Sequence, residues 1–182
     1  MNRIENEQIK FYFEHEERIR EWAALETEAS KFVDRFYRSL KGDLDGAITD
    51  GRIADSDVES FLVGGNWPGV CLRRRAWPEG DDGVYVKMEW NRKKGFPPNG
   101  QVGCGVVTSV KQYKRPFTKE ARPDYPHASQ EWPAYRYLDP PADRFWEGDN
   151  LREYRTYLVE AILKAWKDLA PIVDEAIGQR SS

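Results

Sequence analysis

The sequence predicts a single α+β domain in which long N-terminal and C-terminal helices pack on one face of a three- to four-stranded antiparallel sheet. Three observations support this prediction: helical periodicity at both ends of the chain, two-residue alternation in its middle, and clusters of Gly and Pro between the alternating segments. A chain of 182 residues can bury a core of its own. Neither a repeat nor a linker divides it, so we expect one domain over residues 1–182.

The N-terminal helix is predicted over residues 8–41. Apolar residues recur there at steps of three and four, and most of the other positions are Glu, Arg or Lys. Gly42 is the expected end of this helix. A straight helix of this length would measure about 50 Å, which is more than a domain of this size needs. We therefore expect a kink or break near residues 23–28.

The C-terminal helix is predicted to begin at Asn150. Asn is a favourable N-cap, and Glu153 follows three residues later, as in a capping box. Apolar residues from Leu151 to Val173 share one helical face. Pro171 is expected to kink or end the helix near residues 169–170, because proline has no amide hydrogen and crowds the preceding turn.

Alternating segments predict the strands, at residues 70–77, 84–91, 101–111 and 134–138. The turn residues between the first two segments indicate a hairpin. In the second segment Val84, Val86 and Met88 face one way, and Tyr85 and Lys87 face the other. A sheet covered on one face only has this pattern. Residues 56–63 fit either a short helix or a strand.

The segment 112–133 contains four prolines and is predicted to be irregular. Loops of this length are uncommon in compact domains and often carry function. In the strand before it, Gly103 and Gly105 lie on the same face. Their lack of side chains predicts that a bulky group packs closely against that strand.

Composition argues against several classes of protein. No apolar run approaches the ~20 residues that span a bilayer, and residues 1–10 lack the pattern of a signal peptide. We therefore expect a cytoplasmic protein with no membrane partner.

Cys71 and Cys104 are predicted to be buried free thiols, since neither belongs to a closely spaced metal-binding pair. No cofactor and no metal are expected.

The net charge of −3 conceals a basic middle third between acidic flanks. Residues 61–125 carry twelve basic and six acidic side chains. Proteins that bind single strands need cations for phosphates and aromatic faces for bases. The candidate binding residues of this kind are Arg73, Arg75, Lys87, Arg92, Lys93 and Lys94, with Tyr85 and Tyr113 as stacking partners. A simpler interpretation is that the cations solvate an open sheet face or complement the acidic helices.

Catalytic patterns are weak in this sequence, which favours a non-enzymatic protein. A divalent-metal nuclease core of the PD-(D/E)XK kind fits Asp82, Lys87 and Glu89 only in part, because the order is Lys-x-Glu and Asp82 belongs to the same hairpin. An ion pair with Arg73 or Arg75 would explain Glu89 without a metal. His15 and His127 have no nucleophile that spacing pairs with them.

The leading interpretation is a binding or interaction module with a protein partner, such as a small partner or inhibitor subunit of a larger bacterial or phage complex. Aromatic residues in or beside loops are favoured interface anchors, and here they are Trp67, Trp132, Tyr135, Tyr137 and Trp146. The alternative is a DNA- or RNA-binding protein that uses the basic, aromatic-interleaved sheet face, with a metal-dependent nuclease as third choice. Homo-oligomerisation through the long N-terminal helix stays open.

Overall fold

The computed structural model describes residues 6–55, 57–91, 101–139 and 147–178. Its elements are α1 (Glu7–Glu14), α2 (Glu16–Thr49), β1 (Val58–Val63), β2 (Gly69–Arg74), a short 3-10 helix (Gly80–Asp82), β3 (Val84–Trp90), β4 (Val102–Thr108), α3 (Lys111–Lys114), β5 (Ala134–Leu138) and α4 (Asn150–Gly178). The five strands form one antiparallel sheet in sequence order. The predicted α+β class, with helices packed on an antiparallel sheet, is confirmed.

The sheet contains one more strand than the upper limit of our prediction. The hairpin of β2 and β3 and the short strand β5 lie where the alternation placed them. The additional strand is β1, in the segment whose pattern left helix and strand open, and it pairs with β2 from Val58 opposite Arg74 to Val63 opposite Gly69. The glycines that follow β1 and precede β2 allow the chain to reverse within five residues.

The core lies between the sheet and the two long helices. Val70, Leu72, Val86 and Met88 are all completely buried on one sheet face, as the alternation predicted. Helices α2 and α4 cover them, and the Tyr37 and Tyr154 hydroxyls lie 3.2 Å apart where the helices meet. Tyr37 also stacks on Trp90 with ring centroids 5.0 Å apart. Both helices and the sheet are thereby joined at one aromatic contact.

A charged cluster attaches the edge of this core to the C-terminal helix. Arg74 lies on the helix-covered face, where its Nε donates to both oxygens of Asp174 at 3.0 Å. The indole nitrogen of Trp77 donates to the same carboxylate at 2.7 Å. Asp55 and Asp57 also pair with Arg74, each at 3.1 Å. Arg74 therefore stabilises the fold rather than contributing positive charge to the open face.

The N-terminal helix breaks and ends at other places than predicted. The break lies at His15, where the backbone leaves the helical region, and not near residues 23–28. The helix then passes through Gly42 and Gly46 and ends at Thr49. Helix-interior glycine costs roughly 1 kcal/mol. Burial of Leu44 and Ala47 against the core offsets that cost, because these residues continue the apolar face beyond Gly42.

The C-terminal helix continues past Pro171. It extends from Asn150 to Gly178, so of the two predicted effects of Pro171, a kink or an end, the structure excludes the end. Pro171 is exposed, while Val173 and Ala176 beyond it are buried. The packing of these two side chains continues the helix through the proline. Asn150 is the first helical residue, and the carbonyl of Asp149 accepts from Arg152 and Glu153.

Both cysteines are buried free thiols. Cys71 lies on β2 and Cys104 on β4, and β3 lies between these strands. Strands that are two positions apart are separated by more than 9 Å, which is beyond the reach of a disulfide. Within the described ranges, no helix combines the length and apolarity that crossing a bilayer requires.

We expect the free energy of unfolding to fall as the pH rises from about 9 to about 12. Burial raises the pKa of Cys104 and of Tyr154 to about 12, and it raises the pKa of Cys71 and of Tyr37 as well. The unfolded chain releases these protons near the ordinary values of 9.0 and 10.0, whereas the native state retains them. Unfolding therefore becomes more favourable as the pH rises.

Urea denaturation at a series of pH values measures this effect. Tyr37→Phe should reduce the slope between pH 10 and about 12, because the unfolded variant has one phenol fewer to ionise. A stability that stays constant over this range would contradict the prediction.

Candidate binding surfaces

The structure brings only some of the predicted binding residues together on one surface. Arg73, Tyr85 and Lys87 lie on the face of β2 and β3 opposite the helices, which we call the open face. Arg75 follows β2 and is exposed. Arg92, Lys93 and Lys94 lie outside the described residues, as does Trp146 among the predicted interface anchors.

Tyr113 lies in the core and not on the open face. It belongs to the short helix α3, and its side chain is completely buried. The neighbouring Lys111 and Lys114 made this segment resemble a basic surface in the sequence. The helical turn directs the aromatic ring inward while the cations stay near the surface, so Tyr113 offers no ring face for stacking.

The cations of the open face are paired with carboxylates. Arg73 makes ion pairs with Glu59 at 2.6 Å and with Glu79 at 2.7 Å. Burial alone would lower the pKa of Arg73, but hydrogen bonds to these two carboxylates raise it. Lys87 lies 2.7 Å from Glu89, and Arg75 lies 3.9 Å from Glu59. The positive charge that the sequence suggested for this face is therefore largely compensated at these three residues.

Asp82 and Glu89, the acidic residues considered for a nuclease site, do not lie close together. Asp82 precedes β3, whereas Glu89 lies near the other end of that strand. The seven residue steps between these positions correspond to ~20 Å in an extended chain. Glu89 pairs with Lys87 rather than with Arg73 or Arg75. Across the described residues, His, Cys, Asp and Glu side chains form no group of three or more that could hold a metal ion.

Lys87 organises the open face from a buried position. Only 6% of the residue is exposed, and its side chain lies across Gly69, where an added Cβ would come within 2.4 Å of the Lys87 Cε atom. Its ammonium group donates to Glu89 at 2.7 Å and to the backbone carbonyl of Trp67 at 3.1 Å. Glycine at position 69 thus allows Lys87 to hold the turn between β1 and β2 against the sheet.

Next to this ion pair the open face forms a depression that we call the aromatic cleft. Its deeper part has a volume of about 230 Å³ and is lined by Trp67, Glu89, Gln101, Gly103, Ser129, Trp132, Tyr135 and Tyr137. A shallower part of about 580 Å³ shares Trp67, Glu89, Ser129 and Trp132 with it and extends towards Tyr85 and Lys87. Four aromatic residues from three separate segments therefore surround one ion pair.

One wall of the aromatic cleft is the end of the proline-containing segment, which is irregular as predicted except for the helical turn of α3 at its start. Arg122, almost completely buried within it, donates to the carbonyls of Phe117 and His127 at 3.1 Å and also to that of Tyr125. His127 and Tyr135 exchange backbone hydrogen bonds of 3.1 and 3.0 Å. These bonds fix the path of the chain on either side of Trp132.

The two glycines of β4 have different roles at the cleft. At Gly105 an added Cβ would lie 2.0 Å from the carbonyl oxygen of Ala134 and 2.7 Å from the Cβ atom of Tyr135. The predicted close approach is therefore present at Gly105, but the neighbour is the chain of β5 rather than a bulky group. At Gly103 an added Cβ would meet only the Cγ atom of Glu89, at 3.8 Å. Gly103 therefore leaves part of the cleft floor empty.

A second candidate surface is the projecting start of the helical region, which we call the arm and define as residues 7–31. None of the α1 residues is buried, and the first buried residue of α2 is Val33. Trp22 and Leu25 are 64% and 66% exposed. On α1, Ile9, Phe11 and Phe13 are also exposed. Single exposed apolar side chains are common on protein surfaces, but a contiguous exposed apolar patch marks an interaction site.

Comparison with protein-family models, with curated proteins and with solved structures found no significant match. The proposals below therefore rest on the residues and their geometry.

The Lys87→Met substitution should lower the free energy of unfolding by roughly 2–3 kcal/mol, because it leaves Glu89 unpaired and removes the hydrogen bond to the Trp67 carbonyl. Urea denaturation measures the change. In the Lys87→Met/Glu89→Gln double variant the loss should be smaller than the sum of the two single losses.

Arg75→Met is the matched control, because it removes an exposed cation from the same sheet face. It should change the free energy of unfolding by no more than about 0.5 kcal/mol. Equal effects of Lys87→Met and Arg75→Met would show that Lys87 does not organise the open face.

Proposed function

We propose that this chain is a non-enzymatic protein-interaction module that associates with a second copy of itself through the arm. The exposure of Trp22 and Leu25, 64% and 66% on a helix that continues into the core, is the observation that carries this proposal. Burial of a large apolar side chain is favourable by roughly 1.5–3 kcal/mol. A partner that covered Trp22 and Leu25 would gain a free energy of this size from each of them.

The spacing of the apolar residues suits a helical partner. Trp22, Leu25 and Ala29 follow one another at steps of three and four, which is the spacing of positions a, d and a in a heptad. Such residues form a single stripe along α2. Outward-facing positions of the same stretch include Ala24 and Thr27, so the apolar stripe has polar or small neighbours behind it.

The charges that flank the stripe favour an antiparallel second copy. Glu21 and Arg35 occupy equivalent flanking positions of the heptad, fourteen residues apart. In an antiparallel pair, Glu21 of one copy faces Arg35 of the second copy, and symmetry repeats the contact. A parallel pair would place Glu21 against Glu26. Glu28 approaches its own equivalent in the antiparallel pair, but Lys31 at 2.8 Å compensates its charge.

The available apolar surface is consistent with a specific interface. Each arm exposes six large hydrophobic side chains: Ile9, Phe11, Tyr12, Phe13, Trp22 and Leu25. If each covers on the order of 100 Å², two arms supply roughly 1,200 Å², which is near the lower limit for a specific protein interface.

Nucleic-acid binding by the open face receives less support from the described residues. Arg73 and Lys87 would be needed for phosphate contacts, and both are occupied by carboxylates. A protein whose cations are compensated releases few counterions from a nucleic acid and gains little affinity from them.

Sedimentation velocity of the full chain at about 1–100 µM tests the proposal. We expect a dimer that dissociates on dilution, and Trp22→Glu/Leu25→Glu should be monomeric at every concentration with an unchanged circular dichroism spectrum. The matched control Ala24→Glu/Thr27→Glu adds the same two charges to the outer face of the same turns and should stay dimeric.

A charge exchange tests the orientation of the pair. Glu21→Arg and Arg35→Glu should each weaken the dimer about tenfold, and the two together should restore it. A wild-type chain that stays monomeric at about 100 µM would overturn the proposal and point to a different protein as the occupant of the arm. Losses that simply add in the double variant would exclude the antiparallel arrangement.

A further inference from the structure

We propose that the aromatic cleft binds an uncharged carbohydrate. This site is separate from the arm, and the inference does not depend on the association of two copies. Three properties of the cleft support it: exposed aromatic faces, a neutral floor, and side chains that both donate and accept hydrogen bonds.

The aromatic faces are exposed where a ligand could reach them. Trp67 and Tyr137 are 50% and 44% exposed, and both line the deeper part of the cleft. The face of an aromatic ring carries negative charge density and attracts weakly positive C–H groups. A sugar ring presents several C–H groups on one side, so it can lie flat against such a face.

The two charges on the floor of the cleft, on Lys87 and Glu89, compensate each other, and the exposed Glu131 at the edge of the shallower part adds a negative charge that further disfavours an anionic ligand. The side chains of Lys87 and Glu89 are only 8% and 19% exposed and lie 2.7 Å apart. An anionic ligand would have to compete with Glu89 for the ammonium group of Lys87. A cationic ligand would have to compete with Lys87, whose Nζ atom already lies 5.7 Å from the ring centre of Trp132. A neutral ligand leaves this buried pair intact.

The polar groups around the floor match hydroxyl groups. Gln101 and Ser129 line the deeper part of the cleft, and Gln130 lines the shallower part. Amide and hydroxyl side chains donate and accept hydrogen bonds, as sugar hydroxyls do. The deeper part admits one sugar ring, and the shallower part gives a path for further rings of an oligosaccharide.

Ring geometry distinguishes this site from a nucleobase slot. Trp132 meets Tyr135 at 61°, and Tyr135 meets Tyr137 at 86°. These three rings are therefore steeply inclined to one another, whereas a base is held best against or between faces parallel to it. The stacking platforms of single-strand binders also lie beside free cations, and Lys87 is occupied.

An array of neutral oligosaccharides probed with the labelled full chain, followed by titration calorimetry with the strongest ligand, tests the inference. We expect selective binding to a subset of neutral glycans. Trp132→Ala should weaken that binding at least tenfold. Gly103→Val should have a similar effect by filling the floor, because its Cβ atom has no close neighbour except the Cγ atom of Glu89.

The matched control is Leu62→Ala, which shortens an exposed apolar side chain that neither lines the cleft nor belongs to the arm and should leave glycan affinity unchanged. Thermal unfolding of each variant identifies any loss that reflects misfolding. Failure to bind any arrayed glycan would overturn the inference, as would glycan binding that Trp132→Ala and Gly103→Val leave unchanged. Tighter binding to oligothymidylate than to the array would also overturn it and identify the cleft as a base-binding site.

Discussion

Burial of one sheet face beneath α2 and α4 is the constraint on which the rest of the structure depends. Val70, Leu72, Val86 and Met88 lose all contact with water there, and two helices are enough to cover them. Because both helices lie on that side, the opposite face must be covered by other means. The turn at Trp67 and the end of the proline-containing segment provide partial cover, and the aromatic cleft is the space they leave open.

The same arrangement explains why a basic middle third does not produce a basic surface. Arg74 lies on the helix-covered face and pairs with Asp174, and Arg73 pairs with Glu59 on the neighbouring strand. Lys87 lies across Gly69 and ends against Glu89. Strand pairing brings Arg73 to Glu59, and packing of α4 on the sheet brings Asp174 to Arg74. A charge count over consecutive residues cannot detect these two contacts.

Local sequence patterns identified the helices and strands better than they located the residues at which these elements end. Two-residue alternation located β3, and capping chemistry located the start of α4 to within a residue. Gly42 misled the prediction because tertiary packing outweighed its local cost, and packing beyond Pro171 likewise keeps the C-terminal helix from ending there. Trp67, Trp132, Tyr135 and Tyr137 could be recognised as exposed aromatic residues. Their assembly around Glu89 could not, since it depends on strand order and on Arg122 inside an irregular segment.

Helix α2 is continuous from Glu16 to Thr49. The number of residues between the apolar stripe and the core therefore determines the direction in which the stripe faces relative to the sheet. Each residue of an α-helix advances the direction of its side chain by about 100°. Insertion of one residue between Trp22 and the first buried turn would therefore rotate the apolar stripe a quarter turn or more relative to the sheet. Insertion of seven residues would nearly restore its direction while moving it about 10 Å outward. Homologous chains that keep this geometry should accordingly differ in the length of the arm by whole heptads.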